Sequence, residues 1–535
     1  MQLSSKGADM LLMGEIARMN AAKYPNKVAV AYEEKSTLTY AELNDQANRL
    51  AHALQRLGVK QGQQVSLLAR NRPQHVVSYF ACAKVGMLHS PLNYRFTAEE
   101  LVYVINDAGS SVLLVDVEYA DLVRKILPQL PNIRSVIGFG GNHGFDLDYE
   151  TLIASSASTE PEPERSISGD DVCWVCYTGG TTGMSKGVML THNNNFAQIV
   201  NLLIADEISH EDVNLVNGAL FHVVFTMALP YWYAGCTVVI IDFIPDLCLD
   251  MIAKYRVTKT VPVATMLNLL VDIQARSPRD LSSLKHFGMG GAPVSIDTVL
   301  AAREAFDIDF VQYFGQTEAT VQLTYLSKYD YRRGLTPKAS EQDKKRLMSG
   351  GRAQHLCEVK IVDDDDNVVP LGTVGEICGR GPQVMKGYWA KEQLSADTLR
   401  GGWLHTGDMG YIDEDGYVYI VDRKKDMIVS GGENVYSTEV EKAIYRHDQV
   451  LECAVIGIPD KKWGEAVAAF IVRKPNATVT ENEVQVFVRE LISHYKVPKF
   501  VTFVDALPKA PTGKIQKVVL REKHWEGINR RVGGT

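Results

Sequence analysis

The amino-acid sequence predicts an α/β protein with a large N-terminal domain of layered sheets and helices and a small α+β C-terminal domain. Helix-type and strand-type apolar patterns alternate along most of the chain, which favours layers built on largely parallel sheets. The 535 residues are too many for one hydrophobic core. A charged pentapeptide at Asp422–Asp426 separates two apolar runs. We therefore expect an N-terminal domain at 1–421, a boundary at 422–426 and a C-terminal domain at 427–535.

Individual elements follow from apolar periodicity. Thr39–Gly58 has helical spacing and ends at a glycine cap. Short β-branched runs predict buried strands at Gln64–Leu68, Ser111–Val115, Val172–Cys176, Thr237–Ile241 and Thr260–Pro262. Ser327–Arg352 loses this periodicity and predicts a surface excursion, and Asp363–Asp366 predicts a hairpin tip more than a Ca²⁺ site. The C-terminal domain should contain helices at Thr438–Tyr445 and Glu481–Ile492 and strands at Glu452–Ile458 and Ala466–Val472.

Composition argues against several classes of protein. No apolar run approaches the roughly 18 residues of a membrane span, and charges at Lys6, Asp9, Glu15 and Arg18 indicate an amphipathic N-terminal helix, not a signal peptide. The net charge of −8 argues against a nucleic-acid partner. Eight cysteines suggest a reducing, cytoplasmic location. Cys173 and Cys176 would face opposite sides of a strand, which argues against a metal or redox pair.

A glycine-rich string, Tyr177–Val188, follows the predicted strand Val172–Cys176. Its four glycines would let backbone N–H groups approach phosphate oxygens, and its threonines and Lys186 add donors and charge. The spacing does not fit a P-loop NTPase, because Ser185 stands at the second required glycine and Gly187 follows the lysine. The string predicts a phosphate-binding loop of another kind.

Three further strings carry residues suited to nucleotide chemistry. Gln312–Glu318 combines an aromatic ring, a hydroxyl and a carboxylate, which would also suit a buried ring followed by a helix cap. Gly402–Asp408 places an acid after a glycine turn, where it can bind ribose hydroxyls or cap a turn. Pro508–Ile515 can project Lys514, although a plain surface turn has the same composition. Taken singly, none of the three decides a function.

Together and in this order, the four strings resemble the adenylate-forming (AMP-binding) superfamily, in its acyl-CoA synthetase or fatty-acid–CoA ligase branch. Gly179, Ser185 and Phe314 replace the Ser, Pro and Tyr that are usual there. The resemblance implies that Lys514, Glu318, Thr181 and Lys186 are catalytic and that Glu318 and Thr181 bind Mg²⁺. The implied ATP and AMP ligands are Thr178, Gly179, Gly180, Thr181, Thr182, Gly183, Lys186, Gln312, Tyr313, Phe314, Gly315, Thr317, Asp408, Arg423 and Lys514.

The resemblance also implies an acyl pocket, a CoA channel and a hinge at 422–426, about which the small C-terminal domain is mobile. The pocket residues are Phe221, His222, Gly290, Gly291 and Ala292, the CoA residues are Gly431, Gly432 and Trp463, and the hinge residue is Lys425. A core histidine remains an alternative for His222. Apolar neighbours of these positions favour a hydrophobic acid.

The function that these residues imply is an AMP-forming acid–CoA ligase. Its substrates would be ATP, with Mg²⁺, CoA and a medium-chain or long-chain fatty acid or an aryl acid, and it would belong to fatty acid and lipid metabolism. Two alternatives stay open: a stand-alone adenylating enzyme that loads a carrier protein, and a nucleotide-binding protein without turnover. The oligomeric state also stays open, a homodimer included.

Overall fold

The computed structural model describes residues 12–178, 184–222, 224–291, 294–431, 433–509 and 515–526. Within these residues the chain forms two compact units. The first comprises residues 12–178, 185–359 and 379–404, and the second comprises residue 184 with residues 360–378 and 405–526. Helices and strands alternate along the chain, which confirms the predicted α/β class.

The strands are numbered in chain order. They are β1 (Val28–Tyr32), β2 (Ser36–Thr39), β3 (Gln64–Leu68), β4 (Leu88–Pro91), β5 (Val112–Asp116), β6 (Ser135–Phe139), β7 (Leu147–Asp148), β8 (Val172–Thr178) and β9 (Lys186–Thr191). They continue with β10 (Val213–Val216), β11 (Thr237–Ile240), β12 (Lys259–Thr260), β13 (His286–Met289), β14 (Asp309–Phe314), β15 (Thr324–Leu326), β16 (Arg352–Ala353), β17 (Glu358–Val362) and β18 (Gly375–Arg380). The last are β19 (Gly387–Tyr388), β20 (Leu404–Ile412), β21 (Val418–Arg423), β22 (Ile428–Ser430), β23 (Glu433–Val435), β24 (Val450–Asp460), β25 (Gly464–Arg473) and β26 (Phe500–Phe503).

The α-helices are numbered in the same way. They are α1 (Glu15–Lys23), α2 (Tyr40–Arg56), α3 (Pro73–Val85), α4 (Ala98–Ala108), α5 (Ala120–Ile126), α6 (Tyr149–Ala154), α7 (His192–Ala205), α8 (Val224–Ala234) and α9 (Pro245–Tyr255). The others are α10 (Ala264–Arg276), α11 (Ile296–Phe306), α12 (Lys328–Gly334), α13 (Glu341–Arg346), α14 (Glu392–Thr398), α15 (Ser437–Tyr445), α16 (Glu481–Arg489) and α17 (Lys517–Trp525). Short 3₁₀ turns lie at Val117–Tyr119, Leu127–Gln129, Thr317–Ala319, Arg400–Gly402 and His494–Lys496.

Two large sheets form the first unit. One has nine strands in the order β16-β15-β14-β13-β12-β10-β11-β1-β2, and the other has eight in the order β19-β9-β8-β4-β3-β5-β6-β7. Their central pairs are parallel, whereas β2, β9, β15, β16 and β19 pair antiparallel at the edges. Parallel strands direct their carboxyl ends to one edge of a sheet, where ligand sites of α/β proteins usually lie. Strands β8 and β14 therefore present the loops that follow them at such edges.

One hydrophobic core joins the two sheets of the first unit. It contains residues of both sheets, such as Val238 and Trp174, and residues of α2, α3 and α8 that pack against them. Helix α2 illustrates why the sequence folds this way. Thr39 and Glu42 form a capping box at its start, Gly58 follows its end with φ +79°, and its apolar residues lie on the buried face.

The second unit has its own sheets and cores. Strands β17-β18-β20-β21 form one sheet, with most of their residues in this unit, and β23-β22-β25-β24 with β26 form the other. Alternate residues of β24 face two different cores. Cys453 and Val455 lie in the core that α15 and α16 cover, whereas Ala454 and Ile456 lie in the core that contains Leu520 of α17.

Most of the predicted elements are confirmed, with small differences at their ends. The hairpin at Asp363–Asp366 is confirmed, since Val362 and Val368 form an antiparallel bridge around it. The expected surface excursion at Ser327–Arg352 is instead partly helical, because Ser327 and Ser340 cap α12 and α13. The predicted helix at Glu481–Ile492 ends at Arg489, and the strand predicted at Thr260–Pro262 is the two-residue β12. Within the described ranges, no helix is long and apolar enough to cross a membrane.

Candidate active site

The predicted phosphate loop begins and ends on paired strands. Thr178 at the end of β8 is the antiparallel partner of Lys186 at the start of β9. Gly187 is needed at its position because a Cβ would come within 2.8 Å of Val175 Cγ1. Tyr177 is anchored from the other side, since its hydroxyl donates to Asp107 Oδ2 at 2.8 Å. The structure thus holds both ends of the loop rigidly.

Five of the predicted phosphate ligands lie outside the described residues: Gly179, Gly180, Thr181, Thr182 and Gly183. Their roles, including the predicted part of Thr181 in binding Mg²⁺, stay predictions from the sequence. Lys186 is described and half-buried, and its Nζ lies 5.5 Å from the ring centroid of Tyr388.

Strand β14 separates the predicted adenine-binding residues onto two faces. Gln312 and Phe314 are half-buried, whereas Tyr313 is buried between them. This is the alternation of a strand with one covered face. The Gln312 amide is fixed at both atoms, because Oε1 accepts from the Tyr331 hydroxyl at 3.0 Å and Nε2 donates to Ser349 O at 3.3 Å. Gln312 and Phe314 can face a ligand together, and Tyr313 supports the strand from beneath.

The Tyr313 side chain belongs to a buried polar network. Its hydroxyl donates to Asp206 Oδ1, and its ring lies so near Gly288 that a Cβ there would approach Tyr313 Cε2 to 2.8 Å. Burial raises the pKa of Asp206 to about 6, against the opposing effects of the Tyr313 hydrogen bond and the Lys259 charge. Although Tyr313 is a predicted ATP ligand, the structure directs its ring into the core.

Glu318 lies on a tight turn that leaves β14. A Cβ on Gly315 would come within 2.3 Å of Val321 O, so only glycine fits this approach. Thr317–Ala319 forms a 3₁₀ turn, with Thr317 buried, and the chain then passes through φ +46° at Thr320 and φ +88° at Val321. A positive φ at a β-branched residue is strained, and such strain concentrates at functional sites. The Glu318 carboxylate accepts the Tyr388 hydroxyl at 2.8 Å, and Glu318 O accepts Met385 N–H at 2.8 Å.

The predicted acyl residues follow β10 and β13. Phe221 packs edge-on against His222, with ring centroids 6.4 Å apart. Burial lowers the pKa of His222 to about 4, so the imidazole is neutral near pH 7. A small cavity close by is lined by Asn214, Leu215, Val216, Asn217, Val224, Met227, Ala228 and Val261. Gly291 takes φ +77°, which only glycine adopts readily, whereas Ala292 lies outside the described residues.

The second unit carries the predicted ribose ligand. Asp408 is buried on β20 and pairs in register with Arg423 on β21, and Arg423 Nε lies 2.7 Å from Asp408 Oδ1. Gly407 takes φ +69°, and its N–H donates to Glu376 Oε1 at 3.0 Å. Glu376 in turn pairs with Lys424 at 3.3 Å. Ion pairs therefore hold this carboxylate and the turn that presents it.

The predicted hinge at Asp422–Asp426 lies within the second unit, where Asp422 and Arg423 end β21 and residues 424–426 form a turn. Asp426 N–H donates to Arg423 O at 2.9 Å. Both acids are bound by neighbouring elements, Asp422 by Ser437 at the start of α15 and Asp426 by Arg521 of α17. Lys517, also on α17, binds Ser437 and Glu441. Helix α17 thus binds Asp426 directly and is linked to Asp422 through Ser437, so its contacts lie on both sides of Lys425 in the sequence.

The predicted CoA residues are only partly described. Gly431 takes φ +65° and lies under Trp463, because a Cβ there would approach Trp463 Cε3 to 2.7 Å. The indole is 39% exposed and has Lys462 and Lys499 at 4.7 and 3.8 Å from its ring. Gly432 and Lys514 lie outside the described residues. Lys509 and Ile515, which flank the predicted catalytic loop, form an antiparallel bridge.

The sequence interpretation missed three residues that support the site. Tyr388 binds Glu318, Asp206 binds Tyr313, and Tyr331 binds Gln312. Asp206 and Tyr331 gave no local signal, because each is distant in sequence from its partner. Tyr388 follows a glycine in Lys386-Gly387-Tyr388-Trp389, a dense aromatic string that could have drawn attention.

The chain is similar to known proteins along most of its length. Residues 17–389 match the family described as AMP-binding enzyme, and residues 439–514 match the AMP-binding enzyme C-terminal domain. A feruloyl-CoA synthase of Amycolatopsis is 36% identical over 492 residues, 91% of this chain and 94% of the relative. The fatty acid–acyl-carrier-protein ligase ScoC of Streptomyces coeruleorubidus is 32% identical over 525 residues, which are 96% of this chain and 96% of the relative. The crystal structure of the anthranilate CoA ligase AuaEII with anthranoyl-AMP superimposes with a TM-score of 0.84 at 27% identity, over 98% of this chain and 99% of that one.

Proposed function

We propose, from the premise that this chain belongs to the family of AMP-binding enzymes, that it joins a hydrophobic carboxylic acid to coenzyme A in two ATP-dependent steps. One observation carries the proposal. Strand β14 exposes Gln312 and Phe314 on one face and leads into a strained turn that presents the Glu318 carboxylate. An aromatic face, a fixed amide and an acid are what an adenine ring and a metal-bound phosphate require.

In the first step the substrate carboxylate attacks the α-phosphorus of ATP. A P–O bond forms to give the mixed anhydride acyl-AMP, and the bond to pyrophosphate breaks. Two anions must meet and negative charge grows on the leaving oxygens, so the protein acts mainly through electrostatics. We assign Lys186, Thr181, Thr182 and Lys514 to this task, with Phe314 against the adenine and Asp408 and Arg423 at the ribose.

In the second step the CoA thiol attacks the acyl carbon. A thioester bond forms, the thiol proton is lost and AMP leaves. A thiol is already a few per cent ionised near pH 7, so no strong dedicated base is required. Gly431, Gly432 and Trp463 are our candidates for the channel that admits the thiol. His222 is neutral and would border the acyl group without carrying charge.

The residues present fit Mg²⁺ held together with ATP. Among the described residues no group of three or more His, Cys, Asp or Glu could hold a metal by itself. Mg²⁺ prefers one or two carboxylates together with phosphate oxygens and water, which a single Glu318 satisfies. When bound, the ion would supply positive charge to the phosphates. Glu318 would hold it, and Tyr388 would orient Glu318.

The class of acid is the finer part of the proposal. The curated relatives include a feruloyl-CoA synthase and a ligase for fatty acids. They support a hydrophobic acid, which is either an aryl acid or a medium-chain or long-chain fatty acid. The small cavity by α8, lined by Val224, Met227 and Val261 among others, has a volume of about 10 Å³ and holds about one water molecule, so its lining does not identify the acid.

The domain division 1–421, 422–426 and 427–535 also remains a proposal. We propose that the C-terminal domain turns about Lys425 between the two steps, so that Lys514 serves the first step and Gly431 and Gly432 serve the second. Hinges are usually a few residues that absorb a large φ/ψ change.

A second acceptor is favoured by one observation. ScoC, which is 32% identical to this chain, is a ligase for an acyl-carrier protein. In such a reaction the thiol of a carrier protein would take the place of CoA in the second step. The first step would be unchanged.

One experiment tests the function and separates these acceptors. The protein is incubated with ATP, Mg²⁺ and a panel of fatty and aryl acids, and pyrophosphate is measured. AMP and thioester are then measured with CoA or with a holo-acyl carrier protein. We expect acid-dependent pyrophosphate release followed by thioester with CoA. If thioester forms only with the carrier protein, the acceptor is the carrier protein and not CoA. If no acid causes release of pyrophosphate, the proposed function is contradicted.

A further inference from the structure

The segment Met385–Trp389 connects the two catalytic parts of the first unit. Lys386 N–H donates to Met189 O at 3.0 Å and Trp389 N–H donates to Gly187 O at 2.8 Å, so β19 lies along the strand that begins at Lys186. At its other side Met385 N–H donates to Glu318 O at 2.8 Å. A single short segment therefore fixes the Glu318 turn relative to the phosphate-loop strand.

Tyr388 lies at the centre of this segment. Its hydroxyl donates to Glu318 Oε1 at 2.8 Å, and its ring centroid is 5.5 Å from Lys186 Nζ. Only 7% of the residue is exposed. A tyrosine hydroxyl keeps its proton near neutral pH, so it acts as a donor to the Glu318 carboxylate.

The backbone around Tyr388 is held in place. Its N–H donates to Ser395 Oγ at 2.8 Å, and the Trp389 indole donates to Asp107 O at 3.1 Å. Asp107 also accepts the hydroxyl of Tyr177, at the start of the phosphate loop, at 2.8 Å. The segment that carries the Tyr388 ring is thus hydrogen-bonded, through Asp107, to the residue at the start of the phosphate loop and, through Met385, to the Glu318 turn.

The chemistry of the donor matters as much as its position. A neutral hydroxyl orients a carboxylate but leaves its negative charge in place, whereas a guanidinium or ammonium would compensate that charge. Partners that orient a metal-binding group usually change metal affinity by about 10-fold to 100-fold when they are removed. A carboxylate that is oriented but still anionic is suited to bind a cation.

We propose that Tyr388 is a positioning residue for adenylation: its hydroxyl holds one oxygen of Glu318 so that the other faces the metal ion of Mg²⁺–ATP, and its ring supports the Lys186 ammonium. This inference rests on the proposed function, because it takes Glu318 as the metal carboxylate. It adds a residue from a different segment, 70 positions along the chain from Glu318. Tyr388 needs no contact with the substrate to act in this way.

The test is Tyr388→Phe, which keeps the ring beside Lys186 and removes only the hydroxyl. ATP binding is measured by calorimetry with Mg²⁺ and with EDTA, and acid-dependent pyrophosphate release is measured against Mg²⁺ concentration. We expect the tightening of ATP binding by Mg²⁺ to shrink about 10-fold, and half-maximal adenylation to need about 10-fold more Mg²⁺. Thioester formation from preformed acyl-AMP and CoA should stay within about twofold.

The matched control is Tyr40→Phe, which removes another buried hydroxyl, the donor to Cys236 O at 2.6 Å. It should lower thermal stability and leave the Mg²⁺ dependence unchanged. If Tyr388→Phe does not fold, Trp389→Phe, which loosens the same segment at Asp107, should shift the Mg²⁺ requirement in the same direction.

An unchanged Mg²⁺ dependence in the folded variant, or an equal fall of both half-reactions, overturns the proposal. A wild-type protein that binds Mg²⁺–ATP but releases no pyrophosphate with any acid instead contradicts the proposed function, and the calorimetry still tests Tyr388.

Discussion

The candidate site residues of the two units hold their carboxylates in opposite ways. In the first unit Glu318 receives hydrogen bonds from neutral groups, the Tyr388 hydroxyl at its side chain and the Met385 amide at its backbone. In the second unit Asp408 is paired with Arg423 at 2.7 Å, and Glu376 is paired with Lys424. Among the described residues, Glu318 has no ion pair with a cation, whereas Asp408 and Glu376 each have one.

This difference shows what each carboxylate can bind. An oriented but uncompensated acid attracts a metal ion, because the charge that would stabilise it is still missing. An acid that already has its guanidinium is suited to hydroxyl groups, which need an acceptor but bring no charge. The contrast supports Glu318 as the proposed metal ligand and Asp408 as the proposed ribose ligand. It also predicts that their variants fail in different steps and for different reasons.

The largest effect should come from Lys425→Pro, at the proposed hinge among the ion pairs of the second unit. Proline fixes φ near about −65° and prevents a large backbone rotation. Adenylation should be retained, while thioester formation from acyl-AMP falls by about 100-fold or more, since only the second step would need the rotation. The two half-reactions are measured separately, by pyrophosphate release and by thioester yield.

Lys425→Ala is the control for the loss of the side chain. It keeps the backbone free to rotate and should retain both half-reactions. If Lys425→Pro slows both steps alike, or neither, the proposed rotation of the C-terminal domain about Lys425 is wrong.

Glu318→Gln should produce the next largest effect, and in the other step. The amide has nearly the shape of the acid but no charge, so Tyr388 can still be bound while the attraction for a cation is lost. We expect adenylation to fall about 100-fold or more, as when a preorganised electrostatic group is removed from an active site. Thioester formation from acyl-AMP should be unchanged. The rate of pyrophosphate release across Mg²⁺ concentrations is the measurement.

Glu341→Gln is a matched control, because the Glu341 side chain is 91% exposed and pairs with the neighbouring Lys344 at 2.7 Å. Wild-type Mg²⁺ dependence in Glu318→Gln would remove Glu318 from metal binding. The contrast between a metal-binding Glu318 and a ribose-binding Asp408 would then no longer hold.

Asp408→Asn should have a smaller effect, because the side chain keeps one oxygen as an acceptor. Loss of charge-assisted bonds to the ribose should raise the KM for ATP by about 10-fold. A more specific measurement is the KM for 2′-deoxy-ATP or 3′-deoxy-ATP divided by the KM for ATP. This ratio should be above one in the wild type and approach one in the variant. Asp309→Asn, which removes a surface pair with Arg332, is the control. An unchanged ratio would mean that Asp408 does not read the ribose hydroxyls.

The sequence predicted much of the first unit, because its signals are local. Apolar periodicity located α2 and the buried strands, and glycine-rich strings located the loops after β8 and β14. The support beneath the site could not be predicted in this way. Tyr388 meets Glu318 across 70 positions and Asp206 meets Tyr313 across 107, and only the pairing of strands brings such residues together. The helices α12 and α13 were missed because their capping serines are weak signals beside few apolar residues.

The same contrast recurs inside the first unit, where it makes the last and smallest prediction. Asp206 accepts the neutral Tyr313 hydroxyl, whereas Asp212 is bound by the ammonium groups of Lys259, at 2.9 Å, and Lys285. Burial raises the pKa of Asp206 to about 6. Burial also opposes ionisation of Asp212, but Lys285, the Ser209 N–H and Lys259 together outweigh it and lower its pKa below the ordinary value.

These two acids should therefore give stability profiles of opposite sign. Asp206 binds its proton more tightly in the folded state, so its contribution is present below about pH 4 and is lost as the pH rises through 6. Asp212 binds its proton less tightly in the folded state, so its contribution is present above about pH 4 and is lost as the pH falls below it. Relative to the wild type, Asp206→Asn should gain stability as the pH rises from 4 to 7, by at most about 3 kcal/mol. Asp212→Asn should instead lose stability relative to the wild type as the pH rises to about 4, and the difference should then stay constant. Urea unfolding at several pH values measures both differences. Profiles of the same sign would show that burial alone, and not the charge of the partner, sets how this protein holds its carboxylates.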